Sequence, residues 1–381
     1  MMDGGYGVGG DVLPTWLELE PPRARSLQVY ALDPNVGSYV NNRITIQVPW
    51  EPLLPGPAGA KIAVVDYDAG NDCSNPANPC RTIQHAHDVA LARQRIIVAK
   101  NSNHVENVTL TKGIQLFGDS DPSFGKPTLQ GSLTVAAGVT DSIRFATFSV
   151  VASGASSTAT GVILNSVTTT VDLVDIDIGA IRLPSVAIAV PPFASRGLFA
   201  TMAGGILRIS HGVIAGAFSD GLFIQGPASS IELLDLTVML NGGDGIQLAQ
   251  VAGSATVRSV LSDNNGESGV QVEGMLGGTF LLSASCIQRN QSQAGVTMSS
   301  LIGGTVTITG NTISLNPGGG ASLDVPSPPI KSTVQPNAIG NFWGSSSGPS
   351  GAEPGTGDSV SVGIDVKPFS ATPPATVSTC R

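Results

Sequence analysis

Two neighbouring segments decide the fold, Asn241-Gly-Gly-Asp-Gly-Ile-Gln-Leu248 and Asn265-Gly-Glu-Ser-Gly-Val-Gln-Val272. Each places an asparagine four residues before a glycine, and apolar, polar and apolar residues follow that glycine. Such alternation is typical of a short strand with one buried face. Because the two glycines are 24 residues apart, the segments indicate a repeated structural unit rather than a single hairpin.

The same pattern extends over a long part of the chain, with steps of 24, 24, 26 and 25 residues between the aligned glycines. Those glycines are Gly221, Gly245, Gly269, Gly295 and Gly320. A second apolar strand precedes each of them, as in Leu234-Asp-Leu and Phe280-Leu-Leu. A fixed period of this length means that similar units stack on one another.

A right-handed parallel β-helix, an all-β solenoid, fits this period best. The leucine pattern of leucine-rich repeats is absent, and a propeller blade needs about 40 or more residues. In a β-helix, equivalent residues of successive turns stack about 4.8 Å apart. We therefore expect the recurrent glycines and asparagines to form tight corners with positive φ. We also expect the stacked asparagine amides to bond one another.

Composition agrees with an all-β chain that has many turns. The 381 residues include 47 Gly and 26 Pro, and only 12% are charged, against about 25% in an average soluble domain. Coiled coils and helix bundles need far more charged residues and leucine. With 41% hydrophobic residues, the chain is also unlike a disordered one.

Net charge and hydropathy exclude several partners. The formal charge of −9 disfavours nucleic acid, which is bound by clustered Lys and Arg. No apolar run approaches the roughly 18 residues of a membrane span, so we expect no membrane insertion. Residues 1–11 show neither the basic region nor the apolar run of a signal peptide. That leaves a cytoplasmic chain, a start that lies upstream, or a fragment; the oligomeric state is not predicted.

The chain divides into three regions by composition. Residues 1–58 form an extension of unknown role, in which Arg43–Trp50 alternates like a strand. Residues 59–370 form the β-helix, and residues 371–381 a C-terminal tail. The only convincing helical period covers Thr82–Arg93, with Thr82 as N-cap and Ile83, Ala86, Val89 and Ala90 on one side. This helix is predicted to cap the N-terminal end of the solenoid, because an open sheet edge aggregates.

The first turn resembles the pectate-lyase-like superfamily of right-handed parallel β-helix proteins, in its secreted bacterial form. The matching residues are Cys73, Pro79-Cys80-Arg-Thr-Ile-Gln84, Ala86 and Glu106-Asn107-Val-Thr-Leu110. Near the C-terminus, Asn341-Phe-Trp-Gly344 and Gly348-Pro-Ser-Gly351 resemble the terminal motif of such repeat proteins. The resemblance implies the fold and an extracellular or cell-surface location, but it is unspecific for activity.

The four cysteines give separate predictions. Cys73 and Cys80 bracket a turn-rich loop and are predicted to form a local disulfide, which implies an oxidising compartment. A metal site that adds His85 and His87 is an alternative, although its spacing matches no common zinc pattern. Cys286 lies in an apolar run and is expected to pack as a small hydrophobe, while Cys380 alone predicts nothing.

Asp220 and Asp244 are the best candidates for chemistry. They hold the same place before successive aligned glycines, so they are predicted to be neighbours on one face, with Glu267 nearby. Carboxylates on adjacent turns can share a proton, flank a sugar or bind Ca²⁺, and His211 is a candidate base. The alternative is that Asp-Gly simply suits a corner and that His211 is a surface residue.

Two functions stay open at this point. The first is a non-catalytic or carbohydrate-binding surface protein without a cofactor, whose partner is a polysaccharide. The second is a carbohydrate-active enzyme, namely a polysaccharide lyase, an epimerase or a glycoside hydrolase, that uses the stacked carboxylates. The resemblance implies Ca²⁺ only for a lyase. No Lys occurs between Lys126 and Lys331, which disfavours a lysine base in the central turns, and the low aromatic content disfavours deep sugar stacking.

Overall fold

We describe the structure from a computed structural model. It describes residues 26–33, 38–47, 62–65, 80–99, 102–119, 125–152, 159–183, 186–189, 195–324, 331–374 and 380. The chain forms two compact units, residues 1–55 and 56–381. In the first unit, strands Ser26–Asp33 and Ser38–Gln47 pair as an antiparallel hairpin, and the second of them includes most of the strand predicted at residues 43–50.

The second unit is the predicted parallel β-helix, whose successive turns build three parallel sheets. The first sheet contains Ile62–Val65, Arg95–Val98, Gln115–Gly118, Ile143–Val151, Thr170–Ile178, Ile206–Ser210, Ser230–Leu234, Ser254–Arg258, Thr279–Ser283 and Thr305–Thr309. The second contains Asn103–Val105, Thr128–Gln130, Val213–Ala215, Thr237–Met239, Leu261–Asp263, Cys286–Gln288 and Thr312–Ser314. Two long strands, Ile143–Val151 and Thr170–Ile178, run through both sheets.

The third sheet completes each turn. It contains Val108–Leu110, Leu133–Val135, Thr160–Val167, Arg196–Met202, Leu222–Gln225, Ile246–Ala249, Val270–Glu273, Val296–Ser299, Ala321–Leu323, Gly357–Val360 and Pro349–Gly351. A short antiparallel hairpin, Ala180–Leu183 with Val186–Ala189, is inserted within one turn, before the strand Arg196–Met202. All three sheets send alternate side chains inward, and in the third sheet Leu222, Ile224, Ile246 and Leu248 are fully buried. Each such side chain stabilises the fold by about 1.5–3 kcal/mol.

An asparagine ladder runs along the corner before the third sheet, as the sequence predicted. The Nδ2 group of Asn241 donates to Oδ1 of Asn265 over 2.9 Å, and Asn265 donates in the same way to Asn290. Asn290 continues the ladder to Asn316 at 3.0 Å. Each of these Oδ1 atoms also accepts the backbone N–H of the preceding asparagine. The ladder therefore satisfies buried groups on two sides at once.

The aligned glycines serve this ladder by their small size, and the prediction that they take positive φ is wrong. A Cβ atom on Gly245 would lie 2.7 Å from Nδ2 of Asn265, and one on Gly269 would lie 2.7 Å from Nδ2 of Asn290. Neither glycine has positive φ. Glycine is needed here because the asparagine of the next turn occupies the space that a side chain would fill.

At one corner, left-handed residues other than glycine recur from turn to turn. Between the first and second sheets, successive turns place one such residue each, at φ values of 49–57°. These residues are Asp175, His211, Asp235, Ser259 and Ala284. A left-handed non-glycine residue costs roughly 1–2 kcal/mol. Hydrogen bonds between turns offset this cost, since the N–H of Asp235 donates to the carbonyl of Arg258 and that of Ser259 to the carbonyl of Ser283.

The N-terminal cap is the helix Ile83–Val89, with Thr82 as its N-cap residue. The carboxylate of Glu106 accepts the N–H groups of Ile83 and Gln84 at 2.7 and 3.0 Å. Gln84 in turn accepts the N–H of Thr109, and Nε2 of His87 accepts that of Thr111. The helix thus satisfies donors at the open edge of the third sheet.

The helix is shorter than predicted. It ends at Val89, and Ala90 is already extended. Val89 is half exposed rather than buried, whereas His87 takes the buried position beside Ala86. Burial lowers the pKa of His87, although the hydrogen bond with Asp88 opposes the shift; the neutral ring can therefore accept the bond from Thr111. The chain leaves the helix early because the N–H of Arg93 bonds the carbonyl of Gly113 in the next turn.

The C-terminal end is closed by the Asn341–Gly344 motif. Trp343 is fully buried, and a Cβ atom on Gly320 would lie 2.7 Å from its ring. Asp358 ends the asparagine ladder, because its carboxylate accepts the backbone N–H and the Nδ2 group of Asn316. Burial raises the pKa of Asp358 while these hydrogen bonds oppose the shift.

A disulfide joins Cys286 to Cys380, so the expectation that Cys286 packs as a free hydrophobe is wrong. The tail returns to the second sheet, where Cys286 is fully buried, and a sequence separation of 94 residues hid the pairing. Cys80 is also disulfide-bonded, but its predicted partner Cys73 lies outside the described residues. The Cys73–Cys80 pairing therefore stays a prediction.

Candidate functional site

The structure brings Asp220 and Asp244 together at the corner between the second and third sheets. Oδ1 of Asp220 accepts the backbone N–H of Asp244 at 3.2 Å, and Oδ2 accepts Nε of Arg196 at 2.9 Å. Asp244 repeats the arrangement one turn later, because its Oδ1 accepts the N–H of Ser268 at 2.8 Å. Each carboxylate therefore supports the backbone of the following turn.

Asp244 has the most unusual acid–base properties of this corner. Its residue is only 2% exposed. Burial raises the pKa of Asp244 to about 7, the hydrogen bonds from Ser268 oppose the shift, and the charges of Asp220 and Glu267 add to it. The carboxyl group consequently holds a proton over much of the range from pH 4 to 7.

Glu267 and Ser268 extend the corner by another turn. The Ser268 hydroxyl bonds Thr297 at 2.7 Å, and Nε2 of Gln293 donates to Glu267 at 3.1 Å. No group of three or more His, Cys, Asp or Glu side chains suited to a metal is present in the part of the chain that the structure describes. Asp220, Asp244 and Glu267 are close in space, but the hydrogen bonds above occupy an oxygen of each.

His211 lies at a different corner, between the first and second sheets. Its side chain is 62% exposed, and Nδ1 is 3.7 Å from Oδ2 of Asp235. The structure thus pairs His211 with Asp235, whereas Asp220 lies one corner further along the same turn, beside Arg196. A base assigned to His211 would have to act apart from the Asp220–Asp244 pair.

Three acidic residues that are close in sequence, Asp172, Asp175 and Asp177, fall into two sets in the structure. Lys126 contacts Asp175 and Asp177 at 2.7 and 2.9 Å, and Asp177 also accepts the N–H of Val213. Asp172 lies in the part of the same strand that belongs to the first sheet, and it joins a different set of charges. The only lysine near these carboxylates among the described residues is thus part of a largely buried ion pair.

A charge ladder follows the outer face of the first sheet. Arg144, Asp172, Arg208 and Glu232 occupy successive strands in exact register. Asp172 lies 3.8 Å from Arg144 and 3.6 Å from Arg208, and Arg208 lies 3.3 Å from Glu232. Burial lowers the pKa of Arg144 to about 10 and raises that of Asp172, which shows that desolvation outweighs their attraction. The alternating signs leave little free charge on this face.

The outer face of the third sheet carries a row of aromatic and amide side chains, whereas the first sheet carries a row of charges. One outward position per strand is occupied in turn by Phe199, Phe223, Gln247 and Gln271, again in register. We call these four residues the outer strip. The two rings are parallel within 3°, with centroids 5.6 Å apart, and the Arg196 guanidinium carbon lies 4.4 Å from the Phe223 centroid.

Within the described ranges, the amides of the outer strip make no hydrogen bond. Gln247 and Gln271 are half-buried, and neither side chain makes a hydrogen bond to another residue of the described ranges. Phe199 and Phe223 are half-buried as well. The strip therefore offers apolar ring surface and free amide donors and acceptors on one continuous face.

Sequence reasoning missed this strip, although a signal for it was present. The residues two places after the five aligned glycines are Phe223, Gln247, Gln271, Thr297 and Ser322. They must point outward because their neighbours point inward. Phe199 was hidden because its turn is lengthened by the inserted hairpin, which breaks the period. Low overall aromatic content gave no hint that two rings would stack.

The fold and the strip define a parallel β-helix protein whose third sheet has an outer face of half-buried rings and amides. No protein-family model matches the chain, and no curated protein does either. Among solved structures it is similar to a periplasmic alginate epimerase, AlgG, at 12% identity and a TM-score of 0.39, over 76% of this chain and 82% of that one. It is also similar to the GH136 lacto-N-biosidase from Eubacterium ramulus, at 9% identity and a TM-score of 0.29, over 82% of this chain and 68% of that one.

Such distant likenesses carry no information about activity, and the candidate site has to be judged on its own geometry. In the described part of the chain, no helix has the length and apolar character needed to cross a membrane.

Proposed function

We propose that this protein is a β-helix scaffold that binds a polysaccharide without cleaving it, through the outer strip of the third sheet. The observation that carries the proposal is the row Phe199, Phe223, Gln247 and Gln271, with rings and unused amides at the same position of successive strands. A sugar has an apolar face and a rim of hydroxyl groups, which suits rings beside amides.

The state of the carboxylates supports binding over catalysis. A glycosidase or lyase must present its carboxyl groups to the polymer, within hydrogen-bond reach of the reacting atoms. Asp220 and Asp244 are both almost fully buried, and each accepts a backbone N–H of the next turn. Their geometry is that of corner residues that stabilise the solenoid.

One observation favours a carbohydrate-active enzyme as a second candidate. The raised pKa of Asp244, about 7, suits a general acid at neutral pH, and the neighbouring Asp220 is paired with Arg196. In that reading Asp244 would donate a proton to a leaving oxygen and Asp220 would act as the ionised partner. Ca²⁺ would belong to this second candidate only if the reaction were a lyase reaction.

The Cys286–Cys380 disulfide supports an extracytoplasmic location for the scaffold. Structural disulfides persist in oxidising compartments and are rare in the cytosol. The bond fastens the returning tail to the second sheet, on a different face from the outer strip. We therefore place the protein outside the cytoplasm, where polysaccharides are accessible.

The test is a calorimetric titration of the protein with a panel of soluble polysaccharides, together with assays for reducing ends and unsaturated products, with and without Ca²⁺. We expect saturable binding that is weakened in Phe223→Ala, and no product. Turnover that is lost in Asp244→Asn would favour the enzyme instead. Binding that is indifferent to Phe223→Ala and to Gln271→Ala would overturn the assignment to the outer strip.

A further inference from the structure

We infer that the outer strip selects uncharged polysaccharides and rejects polyuronates. This inference rests on the proposed function, because it names the class of ligand that the same strip binds. Three features of the strip carry it: the neutrality of its side chains, the acidity of its margins, and the pairing of its one cation.

The strip itself carries no charge. Its rings and amides can stack on or hydrogen-bond a neutral sugar, and the half-buried Ser322 lies further along the same row. An isolated carboxylate of a uronate would instead need a cation or several oriented donors to replace its water. The described strands of the third sheet include one basic residue, Arg196.

Arg196 is already paired with a carboxylate of the chain. Its Nε donates to Asp220 at 2.9 Å, and its guanidinium group packs over Phe223. A ligand carboxylate would have to compete with Asp220, whose charge lies at the same corner. The Arg196–Asp220 ion pair therefore borders the aromatic end of the strip and does not form an anion-binding site.

The margins of the strip are acidic. Glu273 is exposed and lies two residues after Gln271, on the same outward side of its strand, and Glu267 lies at the corner that leads into that strand. A carboxylate of a bound uronate would be repelled by these like charges. A polyuronate on the strip would meet this repulsion where it passes the strand Val270–Glu273.

The length of the strip fits an oligosaccharide that lies along the solenoid axis. Four strands spaced by about 4.8 Å span roughly 14 Å, which exceeds one sugar ring. Each turn offers one side chain to the ligand, so successive sugars can meet successive residues. A chain with a charged group on every sugar would place those groups repeatedly beside neutral side chains.

The experiment compares xylohexaose and cellohexaose with hexagalacturonate on the full chain by calorimetry, at low and high salt. We expect at least one neutral oligomer to bind with little salt dependence, and hexagalacturonate to bind at least tenfold more weakly. Phe223→Ala should weaken the neutral oligomer about tenfold. Ser299→Lys, which places a cation beside Glu273 in register, should raise the affinity for hexagalacturonate severalfold at low salt.

A matched control is Ser283→Lys, which adds the same charge to the outer face of the first sheet and should leave hexagalacturonate binding unchanged. Hexagalacturonate that binds as tightly as the neutral oligomers, and that loses affinity in Phe223→Ala, would overturn the selectivity while the proposed function stands. If none of the three oligomers binds, both the selectivity and the proposed function are contradicted.

Discussion

The outer faces of the first and third sheets belong to the same solenoid, yet their polar side chains differ in whether they interact with one another. On the first sheet, Arg144, Asp172, Arg208 and Glu232 pair with one another from strand to strand. On the third, Gln247 and Gln271 pair with no other described residue. The stacking of equivalent residues from turn to turn is therefore not enough to form a ligand-binding face.

The difference teaches what to look for on a β-helix. A ladder whose members bond one another stabilises the fold and has little left for a ligand. A row whose members stay unpaired gains stability only from ring packing, and its polar atoms remain free to bind. Under this view the buried Asp220–Asp244 corner belongs with the first kind, and the outer strip with the second.

The largest expected effect comes from breaking the asparagine ladder beneath both faces. Asn265→Ala removes the acceptor of two Asn241 donors, its backbone N–H and its Nδ2 group. We expect a loss of about 4 kcal/mol in the free energy of unfolding, because each buried unsatisfied group costs about 1–3 kcal/mol. Urea denaturation of the wild type and the variant measures this loss of unfolding free energy. Gln291→Ala, an exposed change one turn away, should cost less than about 0.5 kcal/mol; similar losses in both variants would refute the role of the ladder.

Asp244 should give the next largest effect, and one that depends on pH. Its folded pKa is raised to about 7, so the folded state holds a proton that the unfolded state loses above about pH 4. Stability should therefore fall as pH rises from 4 to 7. Asp244→Asn lacks this fall and should be the more stable protein at pH 8, by about 4 kcal/mol, since the shift is about three pKa units and each corresponds to about 1.4 kcal/mol.

Thermal or urea unfolding at pH 4 and pH 8 checks this prediction. At pH 4 the wild type and Asp244→Asn should differ little, because Asp244 is then protonated in the folded protein. An equal difference at both pH values would show that the carboxyl group does not titrate in this range.

A smaller effect separates the two faces directly. Asp172→Ala leaves Arg144 and Arg208 without their shared carboxylate and should cost about 2–3 kcal/mol, somewhat less than the loss of a fully buried partner. Gln247→Ala on the third sheet should cost under about 1 kcal/mol, because no hydrogen bond is lost. Equal losses of unfolding free energy would remove the contrast between a paired and an unpaired face.

The sequence predicted the solenoid because its period survives in the spacing of the aligned glycines and asparagines. It also predicted that Asp220 and Asp244 meet, since they hold one register position. It could not predict the Cys286–Cys380 bond, because that bond depends on how the tail returns to the second sheet. It also could not predict that His211 lies beside Asp235, because this depends on the corner that His211 occupies. The prediction of positive φ at the aligned glycines was wrong for a related reason. A side chain at Gly245 is excluded by the nearby asparagine of the next turn, and the local backbone conformation does not require glycine.

The most direct test of the account compares two phenylalanines that each lie beneath an arginine on an outer face. Arg196 lies 4.4 Å from the Phe223 centroid in the outer strip, and Arg95 lies 5.5 Å from the Phe117 centroid on the first sheet. The measurement is the calorimetric Kd of each alanine variant for the neutral oligomer that the wild type binds most tightly. We predict that Phe223→Ala raises this Kd about tenfold, equivalent to about 1.4 kcal/mol, and that Phe117→Ala leaves it unchanged. A Kd that rises equally in both variants, or only in Phe117→Ala, would contradict the assignment of glycan binding to the third sheet.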